Sequence, residues 1–219
     1  MEPRSAQSPH ALQWLLLSVG VVAFIAVTGV VGLRFIEPLL PGHHHCAPTP
    51  EAKGNLKALY TAQRAWLQET DTYTEDLDRL GFVPELHNRY TYFSASRGRV
   101  LKAEERRGPA PTGDSPRPSY QLIAADAKSP KFRGTFETFA QTRCPLTPAT
   151  LPDGTRAGLG VTLPAGGAQP GVFIGAAAAN IDADPTPDCW SVATVDRMAA
   201  DGSPILAGQP YNELNDVEY

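Results

Sequence analysis

The segment between residues 180 and 188 carries the densest group of oxygen ligands in the sequence. It reads NIDADPTPD and contains Asn180, Asp182, Asp184 and Asp188. Ca²⁺ prefers carboxylate and amide oxygens on a turning loop, so these residues predict a calcium site. The segment lacks the central glycine and the distal glutamate of an EF-hand. The alternative is therefore a turn in which Asp and Asn side chains bond to their own backbone.

A second group of metal ligands stands nearer the N-terminus. It comprises His43, His44, His45 and Cys46. Imidazole and thiolate groups bind copper and zinc. Consecutive residues in a flexible linker do not by themselves close a tetrahedral site. A transition-metal site and adventitious binding are the two interpretations of this group.

No set of residues predicts catalysis. His87 has no nucleophile in a recognisable pattern with it. Ser115 lies in a Pro-rich loop, not in the strand–turn–helix context of a serine nucleophile. The sequence also has no Cys-x-x-Cys pair and no glycine-rich phosphate loop. We expect a non-enzymatic protein, with calcium as the one candidate cofactor.

The cysteines carry information about the compartment. Cys144 and Cys189 lie in the polar part of the chain and could pair in an oxidising compartment. Cys46 would then be left over near the anchor described next. The alternative is that all three are free thiols.

An uncharged apolar stretch dominates the N-terminus, at residues 11–33. As a helix it would reach roughly 35 Å, enough to cross a bilayer core about 30 Å thick. A cleaved signal peptide usually has a shorter apolar region, and a buried soluble helix is rarely apolar all round. We expect a cytoplasmic tail at residues 1–10 and a transmembrane anchor at residues 11–36. The protein would then be single-pass in the inner (cytoplasmic) membrane, meeting the lipid bilayer through residues 11–33, with its C-terminal domain in the periplasm.

Charge argues against a nucleic-acid partner. The net charge is −4, and the 19 Lys and Arg residues are scattered along the chain. A nucleic-acid surface needs a concentrated basic face. The richest basic cluster is diluted by Glu104 and Glu105, so we expect a solvated loop there. Its members are Arg97, Arg99, Lys102, Arg106 and Arg107.

Beyond the anchor, residues 37–50 contain four prolines and three histidines, which predicts a Pro/His-rich linker. A helix is expected at residues 51–70, because apolar side chains recur there at helical spacing. This helix needs a partner surface, to which we expect one face of it to pack. That face comprises Leu56, Leu59, Tyr60, Trp66 and Leu67.

Short strands are expected after the helix, where rings and β-branched residues alternate with small ones. One long helix followed by several short strands is typical of an α+β fold, with the helix packed on an antiparallel sheet. The tail at residues 208–219 is turn-rich. The globular domain would therefore span residues 51–219. The expected strands lie at residues 89–95, 120–125, 132–140, 158–163, 172–181 and 189–195.

Three segments together resemble the head domain of type IV pilins of the myxobacterial kind. They are EAKGNLKALYTAQRAWLQETDTYT (51–74), GFVPELHNRYTYFSAS (81–96), and FIGAAAANIDADPTPDCWSV (173–192) with the tail PYNELNDV (210–217). The resemblance implies a long helix on an antiparallel sheet, no enzymatic activity, and a place among pilus or type II secretion pseudopilus subunits. Some pseudopilins carry calcium in their C-terminal region, which bears on Asp182, Asp184 and Asp188.

The N-terminus departs from the pilin pattern. Pilin precursors carry a glycine cleavage site, then Phe, with Glu at the fifth mature position. Here Ser8-Pro9-His10 precede the anchor, and residues 11–33 contain no Glu. Prolines also interrupt the passage from the anchor into the head helix, at Pro38, Pro41, Pro48 and Pro50.

The sequence therefore predicts a membrane-anchored, accessory or divergent component of a type IV pilus or type II secretion apparatus. Its partners would be other pilin-like or secretion-system proteins. The alternatives are a minor filament subunit processed at an unorthodox site and a periplasmic metal-binding module.

Overall fold

The computed structural model describes residues 49–108, 118–129, 134, 139, 143–168, 170–181 and 186–214. The chain divides into two units, Met1–Ala47 and Pro48–Tyr219. The expected anchor, most of the linker, and the group His43–Cys46 lie outside the described residues. Within the described ranges, no helix is long and apolar enough to cross a membrane.

The long helix, α1, spans Thr49–Thr70. It begins at Thr49, two residues before the expected Glu51. Pro50 fits the first turn of a helix, where its missing N–H has no intrahelical partner to lose. Glu51 follows in the same turn and complements the positive end of the helix dipole.

Eleven short strands and one short helix follow α1 in the described parts of the chain. Only β7 and β8 are longer than four residues. In chain order the elements are β1 Thr91–Phe93, β2 Val100–Leu101, α2 Ala103–Arg107, β3 Leu122–Ile123, β4 Ala149–Thr150, β5 Arg156–Ala157, β6 Gly160–Thr162, β7 Val172–Ala179, β8 Asp188–Ala193, β9 Arg197–Met198, β10 Pro204–Ile205 and β11 Tyr211–Leu214.

Seven of these strands form one sheet, in the order β11-β8-β7-β1-β3-β2, with β6 also paired to β7. Strands β1 and β6 share one edge of β7: β1 pairs with residues 176–178 and β6 with residues 172–174. Two separate ribbons, β4-β5 and β9-β10, complete the described strands.

The sheet is mixed, not purely antiparallel as expected, because β2 pairs with β3 in parallel. Parallel neighbours need a crossover of a dozen or more residues. The chain between Leu101 and Leu122 supplies that length and carries α2. The α+β class and the helix-on-sheet arrangement are confirmed, and the strand direction is wrong at this pair.

Both faces of the sheet are covered, and β7 shows this along its whole length. Phe173, Ala177 and Ala179 belong to the core under α1, together with Leu56 and Leu59. The alternate residues face two other buried clusters on the opposite side, and they are Val172, Ile174, Ala176 and Ala178. The strand is therefore buried at every position.

A glycine sets how closely α1 approaches the sheet. A Cβ added at Gly175 would lie 2.7 Å from Cδ2 of Leu59 and 3.1 Å from the ring of Phe173. Contacts of that length are repulsive, so a side chain at this position would force Leu59 or Phe173 to shift. The run of small residues from Gly175 to Ala179 lets the helix lie directly on β7.

Two other sequence expectations differ from the structure. The strand expected at residues 132–140 lies outside the described residues except at Gly134 and Phe139, and Phe139 is helical. The tail expected to be turn-rich contains β11, an edge strand paired antiparallel with β8.

Candidate functional site

The side chain of Asp188, the first residue of β8, bonds to three other side chains. Its carboxylate accepts hydrogen bonds from the Tyr90 hydroxyl at 2.5 Å, from Trp190 Nε1 at 2.8 Å and from Asn212 Nδ2 at 3.0 Å. Burial, and then the charge of Asp188, raise the pKa of Tyr90 far above its usual range. Tyr90 therefore remains a neutral donor, and Asp188 joins β8 to β11 and to the chain entering β1.

These contacts bear directly on the calcium prediction. Asp182 and Asp184 lie outside the described residues, and Asn180 is half-buried at the end of β7. Both oxygens of Asp188 already accept protein hydrogen bonds. Within the described ranges, no three His, Cys, Asp or Glu side chains stand close enough to hold a metal ion. Calcium binding stays a prediction, as does transition-metal binding by His43–Cys46.

A second buried carboxylate, Glu213, binds three separate parts of the head. It accepts hydrogen bonds from the hydroxyl of Ser191, from Arg197 Nη1 at 3.0 Å, and from the N–H and hydroxyl of Thr147 at 3.0 and 2.6 Å. The register of β11 is irregular between Asn212 and Leu214, which places Glu213 at the irregularity.

The partner of Glu213 is equally buried. The Arg197 side chain is 0% exposed and that of Glu213 is 3% exposed. Burial lowers the pKa of Arg197, and the charge of Glu213 opposes that change. Arg197 Nη1 also donates to the carbonyl of Thr147 at 2.9 Å. This ion pair therefore ties β11, β8, the β9-β10 ribbon and the segment before β4 into one unit.

Cys144 and Cys189 are joined by a disulfide, with a Cα–Cα distance of 5.8 Å. Cys189 lies in β8 on the face opposite α1, in a cluster with Phe93 and Leu122. Phe139 and Cys144, which lie before β4 in the chain, pack against that cluster. The bond thus holds Cys144 against the second face of the sheet.

A third polar cluster centres on Asp126, whose side chain is 0% exposed. It pairs with Arg107 and accepts the backbone N–H of His87 at 2.8 Å and that of Lys128 at 2.9 Å. Burial raises the pKa of Asp126, but the hydrogen bonds from Arg107 and the two N–H groups outweigh it and lower the pKa to about 2.

The basic cluster is therefore only partly a solvated loop. Arg106 and Arg107 are half-buried in α2. Arg106 donates to the carbonyl of Pro84 at 3.0 Å and to Oδ1 of Asn88 at 2.5 Å. These two arginines fasten the connector before β1 to the far edge of the sheet, so the prediction is wrong for them.

The helix face expected to hold the sheet divides into two groups. Leu56 and Leu59 are fully buried, and Tyr60 and Leu67 pack against the same core while half-buried. Trp66 is half-buried as well. Gln63 was missed because it is polar, yet it is fully buried: its amide donates to the Thr74 carbonyl at 2.5 Å and accepts the Thr74 N–H at 3.2 Å.

Comparison with known proteins identifies the family to which this chain belongs. A family model described as type IV pilin PilA matches residues 46–188, which include α1 and reach the start of β8. The type IV major pilin protein PilA of Myxococcus xanthus (strain DK1622) is 32% identical over 180 residues, covering 76% of each chain. This chain belongs to the type IV pilin PilA family.

Membership in this family indicates the general type of function. Type IV pilins are non-enzymatic structural proteins that are membrane-anchored before they assemble with other pilins. The sequence expectation of a non-enzymatic pilin-like protein is confirmed. The buried carboxylates described above join strands and connecting segments of the head to one another.

Proposed function

We propose that this pilin is an accessory or divergent component of a type IV pilus or type II secretion apparatus. It would be held in the inner membrane by residues 11–33 and would expose its head to the periplasm. The observation that carries the proposal is the family match, which begins at residue 46, beyond the expected anchor, and extends through α1 and most of the sheet. The head would contact other pilin-like or secretion-system proteins.

The accessory role is supported by the N-terminal residues. Close packing of membrane helices into a filament core needs a continuous rod that presents the same groups at each level. Residues 11–33 contain no Glu, and Pro38, Pro41 and Pro48 precede the helix. A proline inside a helix removes a backbone hydrogen bond and bends or breaks it. Pro50 is not a break, because it lies in the first turn of α1.

A minor filament subunit, processed at an unorthodox site, is the second candidate. The similarity to a protein named as a major pilin favours it, since that similarity covers 76% of both chains. In that case the protein would be cut near its N-terminus and would leave the membrane with the filament.

One experiment separates the two roles. Cells that make the protein are sheared, and the chain is measured by intact mass in the released filaments and in the membranes. An accessory component stays in the membrane fraction with its N-terminus complete or lacking only Met1. Recovery in sheared filaments as a shortened chain would establish the subunit role and overturn the accessory one.

A further inference from the structure

The β4-β5 and β9-β10 ribbons are closed by turns of the same construction. The first, the 151–155 turn, joins β4 to β5, and its Leu151 N–H donates to the Thr155 carbonyl at 2.9 Å. Within this turn the Gly154 N–H donates back to the Leu151 carbonyl at 2.9 Å, and Gly154 has a φ of 87°. The turn is therefore a three-residue hairpin loop that ends in a glycine of left-handed conformation.

The second, the 199–203 turn, joins β9 to β10 and repeats these contacts. The Ala199 N–H donates to the Ser203 carbonyl at 2.9 Å, and the Gly202 N–H donates to the Ala199 carbonyl at 3.0 Å. Gly202 has a φ of 83°. In both turns an exposed Asp precedes the glycine, and these are the two Asp-Gly pairs of the sequence, Asp153-Gly154 and Asp201-Gly202.

An Asp-Gly pair can rearrange without an enzyme. The glycine nitrogen attacks Cγ of the protonated Asp carboxyl, a C–N bond forms, and the carboxyl O–H leaves as water with the amide hydrogen. A water molecule then opens the resulting succinimide at either carbonyl. Opening at one carbonyl restores Asp, and opening at the other gives isoaspartate, in which the main chain runs through Cγ. Glycine favours the attack because it has no side chain beside its nitrogen.

The two Asp side chains are held differently. Asp201 accepts hydrogen bonds from the Ser203 N–H at 2.9 Å and from the Ser203 hydroxyl at 2.7 Å, both on Oδ1. Asp153 accepts the equivalent bonds from Thr155, with the N–H at 2.9 Å from Oδ1 and the hydroxyl at 3.0 Å from Oδ2. Oδ2 of Asp153 also accepts the N–H of Ala165, which lies beyond β6. Asp153 is therefore bonded through both oxygens to two segments of chain.

These hydrogen bonds oppose the rearrangement, because only a protonated carboxyl can lose an oxygen as water. The donors Thr155 and Ala165 lower the pKa of Asp153. The donor Ser203 lowers the pKa of Asp201. Among the described contacts, however, Oδ2 of Asp201 accepts no hydrogen bond, so it can take up a proton with every existing bond intact. Protonation of either oxygen of Asp153 requires a donor to leave.

We propose that Asp201 is a site of isoaspartate formation in the folded head, and that the same turn at Asp153 is protected by its third hydrogen bond. Pro152 adds to that protection, because its fixed φ stiffens the 151–155 turn, whereas Ala200 stands at the matching position of the other. Isoaspartate at position 201 lengthens the main chain of the 199–203 turn by one methylene. The β9-β10 ribbon is then the part of the head that changes with age.

Labelling with heavy-oxygen water tests the proposal on the full chain, purified in detergent. The protein is kept in neutral labelled buffer, because each opening of a succinimide adds one solvent oxygen to the product. It is then digested in ordinary water, and electron-transfer fragmentation distinguishes Asp from isoaspartate in each peptide. We expect label and isoaspartate to accumulate at Asp201 at least about fivefold faster than at Asp153, the factor that one hydrogen bond contributes to an equilibrium.

The same chain in urea is the matched control. Unfolding removes the hydrogen bonds of both turns, so the two Asp-Gly pairs should then take up label at similar rates. A difference that disappears in urea belongs to the fold and not to the neighbouring residues.

Ala165→Pro tests the third hydrogen bond, because proline has no N–H to donate. Ala165 is the second residue of a turn over residues 164–167, which is closed by a hydrogen bond of 2.9 Å. Gly166 follows with a φ of 94°, which is typical of a type II turn, and proline is favoured at the second position of such a turn. The variant should raise the labelling rate at Asp153 toward that at Asp201 and leave Asp201 unchanged.

The other outcomes overturn the proposal. Equal labelling of the two sites in the folded chain, or faster labelling of Asp153, would contradict it. Label that reaches Asp201 only in urea would show that the fold protects both turns. An unchanged rate at Asp153 in Ala165→Pro would show that the third hydrogen bond does not protect it. Thermal melting checks that this variant is folded; if it is not, the comparison of the two sites in the native chain decides.

Discussion

The two faces of the pilin sheet are stabilised by different kinds of interaction. Under α1, Leu56 and Leu59 pack on Phe173 and Ala177, and periodic apolar side chains supply the contacts. On the opposite face, irregular chain lies over the sheet, held by the Cys144–Cys189 disulfide and by Glu213. The comparison teaches that the helix face depends on periodic apolar packing, whereas the other face combines two smaller apolar clusters with a disulfide and a buried ion pair.

The largest effect is expected from removing Glu213. Glu213→Ala leaves the Arg197 charge buried without its partner, which costs about 3–5 kcal/mol of unfolding free energy. Urea denaturation of residues 48–219 measures it. The matched control is Arg99→Ala, which breaks an ion pair with Glu105 whose side chains are 38% and 42% exposed and should cost less than about 1 kcal/mol. Equal losses in the two variants would contradict the assignment of Glu213.

Leu59→Ala tests the helix face and should cost about 2–5 kcal/mol, since it removes a fully buried side chain at the closest approach of α1 to β7. Leu163→Ala, at a 37% exposed position, is the control and should change the urea midpoint little. The double variant Leu59→Ala/Gly175→Ala refines the test. The added methyl occupies part of the space left by Leu59. Gly175→Ala should therefore cost less unfolding free energy in the Leu59→Ala variant than in the native chain.

Loss of the disulfide should be somewhat milder. Cys144→Ser with Cys189→Ser should lower the unfolding free energy by about 2–4 kcal/mol, because the bond closes a loop with a sequence separation of 45. The native head should show a similar loss when a reductant is added. A reductant that still destabilised the double variant would point to another target.

Acid should give the smallest effect, through Asp126. Its pKa is about 2 in the folded head and about 3.9 in an unfolded chain, so ionised Asp126 stabilises the head above pH 4. That contribution is lost as the pH falls from about 4 through 2. The pH dependence of the urea midpoint should be shallower in Asp126→Asn than in the native head across this window. Identical slopes would show that Asp126 does not contribute.

The sequence predicted the helix face and the buried strands because both follow from local patterns. Apolar residues recur at helical spacing in α1, and β7 is a run of small and apolar residues bounded by turns. The resemblance to pilins rested on the same segments. Membership in the family is confirmed by the match over residues 46–188.

The buried polar bonds had no local signal. Glu213 and Thr147 are 66 residues apart in the sequence, and Asp126 and His87 are 39 apart. Glu213 lies in a polar tail whose sequence predicts turns. Arg107 lies in a charged run whose sequence predicts a solvated loop. Such residues are buried because the fold brings distant partners to them. The periodicity of the sequence does not indicate these partners.

The parallel β2-β3 pair was missed for a related reason. Both strands have only two residues, too few for alternation to show. The long crossover that carries α2 permits parallel pairing, and no strand pattern encodes the direction.

Membrane association of the complete chain tests the proposal of an anchored pilin most directly. Cells are lysed, and the full-length protein is partitioned between a detergent phase and the aqueous phase, with its N-terminal mass determined in each. We expect the protein in the detergent phase with residues 11–33 attached. Full-length protein in the aqueous phase with those residues still attached would contradict the anchor and the role built on it.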